Sequence, residues 1–317
     1  MQIGFLADVR NPPPFERPWA QHYGRTLELI EEADRLGAAA IFFGEHHRTD
    51  DGYLPQPLTF AAAVAARTTR IRIGTEILIA PLRHPQHIAE EAAVVDVLSG
   101  GRLELGLGAG YVPKEFDAFD VERDDRFRLL DRAVAEVQQR FVDGVTPKPV
   151  QDPVPIWVGY FGRGARRAGR LGVGLLSLVP SCLEPYRQGL VEGGHDPATA
   201  RMSGGMDLVV ARDPERTWAA IEPHIRYQAA AYSALRDEVE VHEGREPSEQ
   251  ARLGSASYGG YAVVTPEEAI ERIRKRTDGL PVGYLTPWMS VGGMPDEFVE
   301  EHIRLTVTEV APAFRDV

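Results

Sequence analysis

With 317 residues, 43% of them apolar and 26% charged, the chain has the make-up of a globular protein, with room for one large α/β barrel or two ordinary domains. A net charge of −12 argues against nucleic acid or an anionic membrane as partner, and there is no run of about 18 apolar residues to span a bilayer. The single cysteine, Cys182, excludes an internal disulfide, and the opening run Met1 to Leu6 lacks the basic start of a signal peptide, so a cytoplasmic protein is expected.

Short apolar runs alternate with amphipathic segments along the chain. A strand over 3–7 leads to a helix over 23–36, in which Leu27, Ile30, Ala33 and Asp34 fall near one face and Gly37 is the stop signal. A strand over 39–44 precedes a helix over 57–67, a strand over 71–79 a helix over 85–98, and a strand over 103–107 a helix over 126–141. Strands over 156–159 and 174–177 flank a helix over 164–171. A strand over 206–210 is followed by helices over 214–235 and 266–276, and a last strand over 283–286 by a helix over 296–310. Pro57, Pro85, Pro214 and Pro266 sit at or near helix starts, where a missing N–H costs nothing. Eight strands with eight helices give the count of a (β/α)8 TIM barrel in a single domain over 1–317; a doubly wound open sheet is the competing arrangement. Residues 236–260 are polar and aperiodic, and read as an excursion near a late strand, either a solvated loop or a mobile lid.

The chemistry concentrates where strands end. The apolar run Ile41-Phe42-Phe43 passes through Gly44 into Glu45-His46-His47, then Tyr53-Leu54-Pro55-Gln56-Pro57. A second block is Gly74-Thr75-Glu76-Ile77-Leu78-Ile79-Ala80-Pro81, then Arg83-His84-Pro85. A third is Ser99-Gly100-Gly101-Arg102-Leu103-Glu104-Leu105-Gly106-Leu107-Gly108-Ala109-Gly110-Tyr111. Carboxyl ends of parallel strands carry the chemistry of α/β folds, and histidine moves protons near neutral pH, though two adjacent histidines can equally be one packed and one solvated ring. His84 and His87 have the spacing of a metal pair, but two ligands without a carboxylate cluster do not make a site, and no metal is expected.

In this order and spacing, with the loop Val158-Gly159-Tyr160-Phe161-Gly162-Arg163-Gly164 and the ending Glu309-Val310-Ala311-Pro312-Ala313-Phe314, the blocks resemble the bacterial luciferase-like flavin monooxygenase superfamily over essentially the whole chain. The resemblance implies a TIM barrel with FMN at the carboxyl ends of its strands. His46 falls on the family's catalytic histidine, placed beside the flavin ring as proton donor or base; Glu45 would orient a neighbour or the substrate, and His47 would be structural. The family's non-prolyl cis peptide matches Glu76-Ile77, beside the ring, and a buried Glu76 there raises the question of its protonation state. Gly108, Ala109, Gly110 and Tyr111 would bring backbone near the ring or phosphate, although luciferase itself has a phosphate-binding arginine at the position of Ala109. Gly159, Tyr160, Phe161, Gly162, Arg163 and Gly164 would meet the phosphate, opening a helix with Arg166 and Arg167; Arg126 and Arg128 are further cationic candidates.

The resulting expectation is a monooxygenase that uses reduced FMN and O2 to oxygenate a small organic substrate. A separate flavin reductase would supply the FMN, because no GxGxxG opens a helix in this chain. An F420-dependent hydride transfer on the same fold is the alternative. A metal-dependent barrel hydrolase using His46, His47, His84 and His87 lacks a His-x-His after the first strand, where Asp8 stands alone, and a non-enzymatic flavin-storing relative would have lost His46. Trp288, Met289, Tyr53 and Tyr258 are candidates for the lining of a mainly apolar pocket. The resemblance further implies a homodimer formed through helices beside the second and third strands.

Overall fold

The computed structural model describes residues 1–160, 162–245 and 260–314. Its first strand comes in two pieces, β1 (Gln2–Ile3) and β2 (Phe5–Ala7), and is followed by α1 (Trp19–Leu36), β3 (Ala40–Phe43), α2 (Pro57–Arg67), β4 (Arg72–Thr75), β5 (Leu78–Ile79) and α3 (Pro85–Ser99). Next come β6 (Leu103–Gly108), α4 (Pro113–Ala118), α5 (Arg126–Asp143), β7 (Ile156–Gly159), α6 (Ala165–Arg170), β8 (Gly174–Leu176) and α7 (Leu183–Glu192). The last part holds β9 (Met202–Met206), β10 (Leu208–Val210), α8 (Pro214–His242), β11 (Ala262–Val264), α9 (Pro266–Thr277), β12 (Val282–Pro287) and α10 (Asp296–Leu305).

The main sheet runs β1-β12-β9-β8-β7-β6-β4-β3-β2, every pair parallel. Because β1 and β2 are consecutive, the sheet closes on itself through the first strand, as a TIM barrel does. The break falls at Gly4, where a Cβ would lie 2.7 Å from the Ala40 carbonyl oxygen, and the Gly4 N–H still donates to Leu285 O at 2.9 Å. Apolar residues fill both faces of the barrel wall, as expected where helices cover a parallel sheet. Ile41 and Phe43 pack outward under the helices, while Phe42 joins Leu6, Trp157, Leu176, Tyr284 and Trp288 in a separate inner cluster. Glu104, also on the inner face, accepts hydrogen bonds from Trp157 Nε1 at 2.7 Å and Tyr284 Oη at 2.9 Å, so the buried carboxylate is satisfied.

The sequence reading of α1 to the entry of β4 holds, although α1 begins at Trp19 and not at the expected 23. Gly37 takes the left-handed conformation, φ 96°, and its N–H bonds Ala33 O and Asp34 O, ending the helix. Asp34 then accepts the N–H groups of Thr69, Arg70 and Ile71, which docks α1 against the entry to β4.

Other elements differ from expectation. The expected strand over 206–210 is not the seventh barrel strand: that is β9, Met-Ser-Gly-Gly-Met, while β10 pairs with β11 in a separate two-stranded sheet. The apolar signal lies in Leu208–Val210, and the glycines of β9 give none. The expected strand over 71–79 breaks into β4 and β5 at Glu76 and Ile77. The helix that follows the sixth barrel strand is α7, which the sequence does not announce, and the same holds for α4. The polar excursion expected from 236 begins as the end of α8, helical to His242; residues 246–259, with the lid expectation, lie outside the described residues.

Candidate active site

Just past the end of β3, Glu45, His46 and His47 are all buried, and their hydrogen bonds divide the labour among them. Glu45 accepts the Ile79 N–H at 2.7 Å, His47 Nε2 at 2.6 Å and the Arg83 guanidinium. Both its oxygens are thus taken by protein donors, and it orients a neighbour, His47, while tying β3 to β5 and the start of α3. His47 packs its ring on Phe119. His46 differs. Its Nδ1 lies 2.8 Å from Glu115 Oε1, which also accepts the His47 backbone N–H at 2.8 Å. That oxygen acts as an acceptor, so Nδ1 carries the hydrogen and Nε2 is left as the basic nitrogen. Among the described residues Nε2 has no hydrogen bond. Three tyrosine rings stand edge-on to the imidazole: Tyr53 at 4.7 Å, Tyr111 at 5.5 Å and Tyr232 at 6.2 Å.

A second buried group adjoins this one. Arg10, 1% exposed, pairs with Asp8 at 2.9 Å and lies over the rings of Tyr53 and Tyr232, at 4.8 and 4.6 Å. The Tyr53 and Tyr232 hydroxyls are 3.0 Å apart, and Asp8 also accepts from Gln228 Nε2 and the Gly292 N–H. Burial drives the Tyr53 and Tyr232 phenols well above their usual range, so both are neutral donors. Among the described residues two atoms here are buried without a partner, Arg10 Nη2 and Glu115 Oε2. Glu115, Arg10 and Tyr232 are not singled out by the sequence. Neither α4, which carries Glu115 just after the glycine run, nor the surroundings of Arg10 and Tyr232 give a signal in the local pattern.

The peptide bond between Glu76 and Ile77 is cis, in line with the resemblance. The half-buried Glu76 accepts a hydrogen bond from Thr286 Oγ1 at 2.9 Å, and desolvation pushes its carboxyl up to about 7. The backbone carbonyl of Glu76 and the Tyr53 hydroxyl both lie against Gly44, so the chain at Glu76 borders the wall that carries the tyrosines around His46. Two glycines of the third block stand close to neighbouring side chains. A Cβ on Gly108 would stand 2.6 Å from the Ile77 side chain, and one on Gly110, φ 67°, 2.7 Å from Ile79 Cγ2. They make room for strand neighbours. Ala109 is buried, and Tyr111 O accepts from Arg123 Nε at 2.9 Å.

The loop at Gly159 leads into a short 3-10 turn, Gly162–Gly164, and a six-residue α6, so little helix dipole backs it. Gly162, φ 53°, faces open space, while a Cβ on Gly164 would meet Tyr160. Tyr160 is buried with its hydroxyl on Asp131; Arg163 is exposed; Phe161 lies outside the described residues. The expected cations are mostly engaged: Arg166 with Glu192, Arg167 with Asp131 at 3.1 Å, Arg128 with Asp125 at 2.6 Å, and Arg126 with Arg123 O at 3.0 Å. Of the pocket candidates, Trp288 joins the inner cluster and donates to Asp207 at 3.0 Å, while Met289 packs in the outer core; Tyr258 lies outside the described residues. His84 caps α3 through Nδ1, which accepts the Gln86 N–H at 3.1 Å. Among the described residues no group of three or more His, Cys, Asp or Glu is placed to hold a metal ion, and no helix is long and apolar enough to cross a membrane.

A closed parallel barrel with a carboxylate-bound histidine past its second strand is the architecture of TIM-barrel enzymes. The family described as "Luciferase-like monooxygenase" matches residues 1–281, and the chain belongs to that family. It is 28% identical over 279 residues to limonene 1,2-monooxygenase of Rhodococcus erythropolis, covering 78% of this chain and 70% of that one. It is also 28% identical over 307 residues to the F420-dependent glucose-6-phosphate dehydrogenase of Kineococcus radiotolerans, covering 87% and 82%. Curated relatives of higher identity, 33% to 41%, match over only part of their length, and the chain covers 28% to 43% of each. Among solved structures, monooxygenase RslO1 from Streptomyces bottropensis superposes with a TM-score of 0.81 at 26% identity, covering 99% of this chain and all of that one.

Proposed function

We propose that the protein is the oxygenase of a luciferase-like, flavin-dependent pair, using reduced FMN and O2 to oxygenate a small organic substrate. The observation that carries this reading is His46, with Nδ1 tied to the Glu115 carboxylate, Nε2 without a hydrogen bond among the described residues, and tyrosines on three sides. A buried histidine ringed by tyrosines suits proton movement where water must be kept out. The residues present fit a flavin-type ring: the carboxyl of Glu76, the orphan Arg10 Nη2 and the tyrosine hydroxyls offer polar contacts within apolar walls, as a planar ring edged with carbonyl and N–H groups requires. Glu76, Ile77, Gly108 to Tyr111 and the segment from Gly159 to Gly164 would hold ring and phosphate. When bound, reduced FMN supplies the electrons that activate O2. The chain's part is to bind and orient, to exclude water, and to take or return a proton at His46 Nε2.

The alternative on the same barrel is F420-dependent hydride transfer, supported by a relative of that chemistry as similar as the monooxygenase. FMN is favoured by the pairing of Arg166, Arg167 and Arg170 with Glu192 and Asp131, which leaves little free positive charge for the longer acidic tail of F420. Titration of the protein with FMN and with F420, followed by turnover assays with each reduced cofactor, tests the choice. Saturable FMN binding and oxygen-dependent turnover with a separate reductase are expected. Tight F420 binding with anaerobic turnover, and no FMN binding, would overturn it.

The same reading includes a second copy of the chain. Val94, Val97 and Leu98 are 42%, 41% and 53% exposed on one stripe of α3, beside the third strand, as a homodimer contact through these helices would need. Light scattering behind a sizing column should give twice the chain mass, and Val97→Glu with Leu98→Glu should give a monomer.

A further inference from the structure

Glu76 leaves the barrel wall at the end of β4 and reaches the opposite side. Its N–H donates to Phe43 O at 2.8 Å, fixing the backbone to β3, while its carboxyl takes the Thr286 hydroxyl of β12 at 2.9 Å and is also touched by the Gly205 N–H of β9. In the closed strand order β9 lies across the ring from β4, so the side chain spans the barrel mouth. The Glu76 backbone carbonyl lies against Gly44 beside the Tyr53 hydroxyl, so the side chain starts from the wall that bears His46. Both protein donors favour the ionised carboxylate, yet desolvation outweighs them and brings the group up to about 7. A carboxyl in that balance, largely buried and, among the described residues, without a cationic partner in a hydrogen bond or ion pair, has a proton to offer a ligand.

We propose that Glu76 is the hydrogen-bond donor to an acceptor edge of the bound cofactor's ring, a carbonyl oxygen or a ring nitrogen, so that its ionisation removes the donor and weakens ring binding. This rests on reading the barrel mouth as a flavin-type site. Other titratable groups on the surrounding elements are Asp8 past β2, His46 past β3, Glu104 on β6, Asp207 past β9 and Tyr284 on β12. Each has its own partner: Asp8 holds Arg10, His46 holds Glu115, Glu104 holds Trp157 and Tyr284, and Asp207 holds Trp288. None of them hydrogen-bonds Glu76.

The test is ring binding by the intact protein, read from flavin fluorescence between about pH 5 and about pH 9. Riboflavin is measured beside FMN because it lacks the phosphate, which itself ionises at about 6. For the unaltered protein the Kd of riboflavin should be level below about 7 and then rise, approaching tenfold per pH unit, and that of FMN should rise alongside it above about 7. Glu76→Gln keeps a donor that cannot ionise and should flatten the profile near the low-pH affinity. Glu76→Ala should be flat and weaker. Circular dichroism of both variants confirms folding. A level profile in the unaltered protein, a slope that survives Glu76→Gln, or tighter binding at high pH would each overturn the proposal. If F420 binds in place of FMN with the same dependence on Glu76, the proposal stands and only the choice of cofactor changes. If FMN, riboflavin and F420 all fail to bind at every pH, the flavin-type reading falls and takes this proposal with it.

Discussion

His46 and Glu115 stand 69 positions apart in sequence and meet at 2.8 Å, imidazole Nδ1 to carboxylate Oε1. One comes from the loop after β3, the other from α4 beyond β6, so only the closed barrel brings them together. The pair sets the tautomer of His46 and leaves Nε2 as its reactive atom. His46→Ala should therefore fold normally and lose about 10²–10⁴-fold in cofactor-dependent turnover, the usual worth of one positioned proton-transfer group. Turnover with any accepted substrate, compared at equal folded protein by circular dichroism, checks this. A variant of near-normal rate would remove His46 from the chemistry.

Glu115 is 0% exposed and holds two donors with one oxygen, His46 Nδ1–H and the His47 N–H. Glu115→Ala would strand both. Each buried, unsatisfied donor costs about 1–3 kcal/mol, so urea unfolding should show a loss in that range or above it. Glu115→Gln keeps an acceptor and should unfold closer to the unaltered protein while still losing turnover, because an amide stabilises a protonated His46 less than a carboxylate does. If the Gln variant were as active as the parent, the carboxylate's charge would have no part in the reaction.

Gly162 sits at φ 53° with no atom within 4 Å of where a Cβ would stand, so a larger side chain there projects into open space at the proposed phosphate end. Gly162→Leu should weaken FMN binding about tenfold or more and riboflavin far less, because only FMN carries the phosphate that backbone N–H groups would meet. The left-handed backbone adds about 1–2 kcal/mol of strain, visible as a lower melting temperature. Equal losses for the two ligands would place the phosphate elsewhere.

What the sequence discloses follows from how local each signal is. The β3 exit is legible because Ile41-Phe42-Phe43 is apolar and Glu45-His46-His47 is not; α1 is legible because its face and its Gly37 stop lie within one segment. β9 escapes because Ser203, Gly204 and Gly205 have no apolar side chains to mark a buried strand, and the run at Leu208–Val210 draws the assignment. Arg10, Tyr232 and Glu115 escape for another reason. A buried polar residue is recognisable only by its partners, and most of theirs are far off in sequence: Glu115 meets His46 from 69 positions away and Tyr232 meets Tyr53 from 179.

Gly108 signals a need for space already in the sequence, and the structure puts the Ile77 side chain in that space. A Cβ there would come within 2.6 Å of Ile77 Cδ1 and Cγ1. Gly108→Ala should thus cost about 1–3 kcal/mol by overpacking. Shortening the neighbour should recover part of that, so the pair Gly108→Ala with Ile77→Ala should be less destabilised than the sum of the singles. A double-mutant cycle in urea measures the coupling. Strict additivity would mean that the glycine serves a ligand and not Ile77.

His302 on α10 gives a prediction on pH. It is fully buried; Nδ1 accepts the Val210 N–H at 2.8 Å and lies 3.2 Å from Thr306 Oγ1, and Nε2 donates to Trp288 O at 3.0 Å, so both nitrogens are used by the neutral ring and a second ring proton would displace the Val210 N–H. Desolvation drives its pKa down to about 4 from the ordinary 6.5. Between those values the unfolded chain binds a proton that the folded one refuses. The contribution is therefore complete above about 6.5 and is lost as pH falls toward about 4, at no more than about 1.4 kcal/mol per pH unit. Melting temperatures measured across that window should fall with pH in the unaltered protein. His302→Gln should melt lower at neutral pH, having lost ring packing against Phe5, yet fall less steeply on acidification. Parallel slopes for the two proteins would assign the acid sensitivity to other groups.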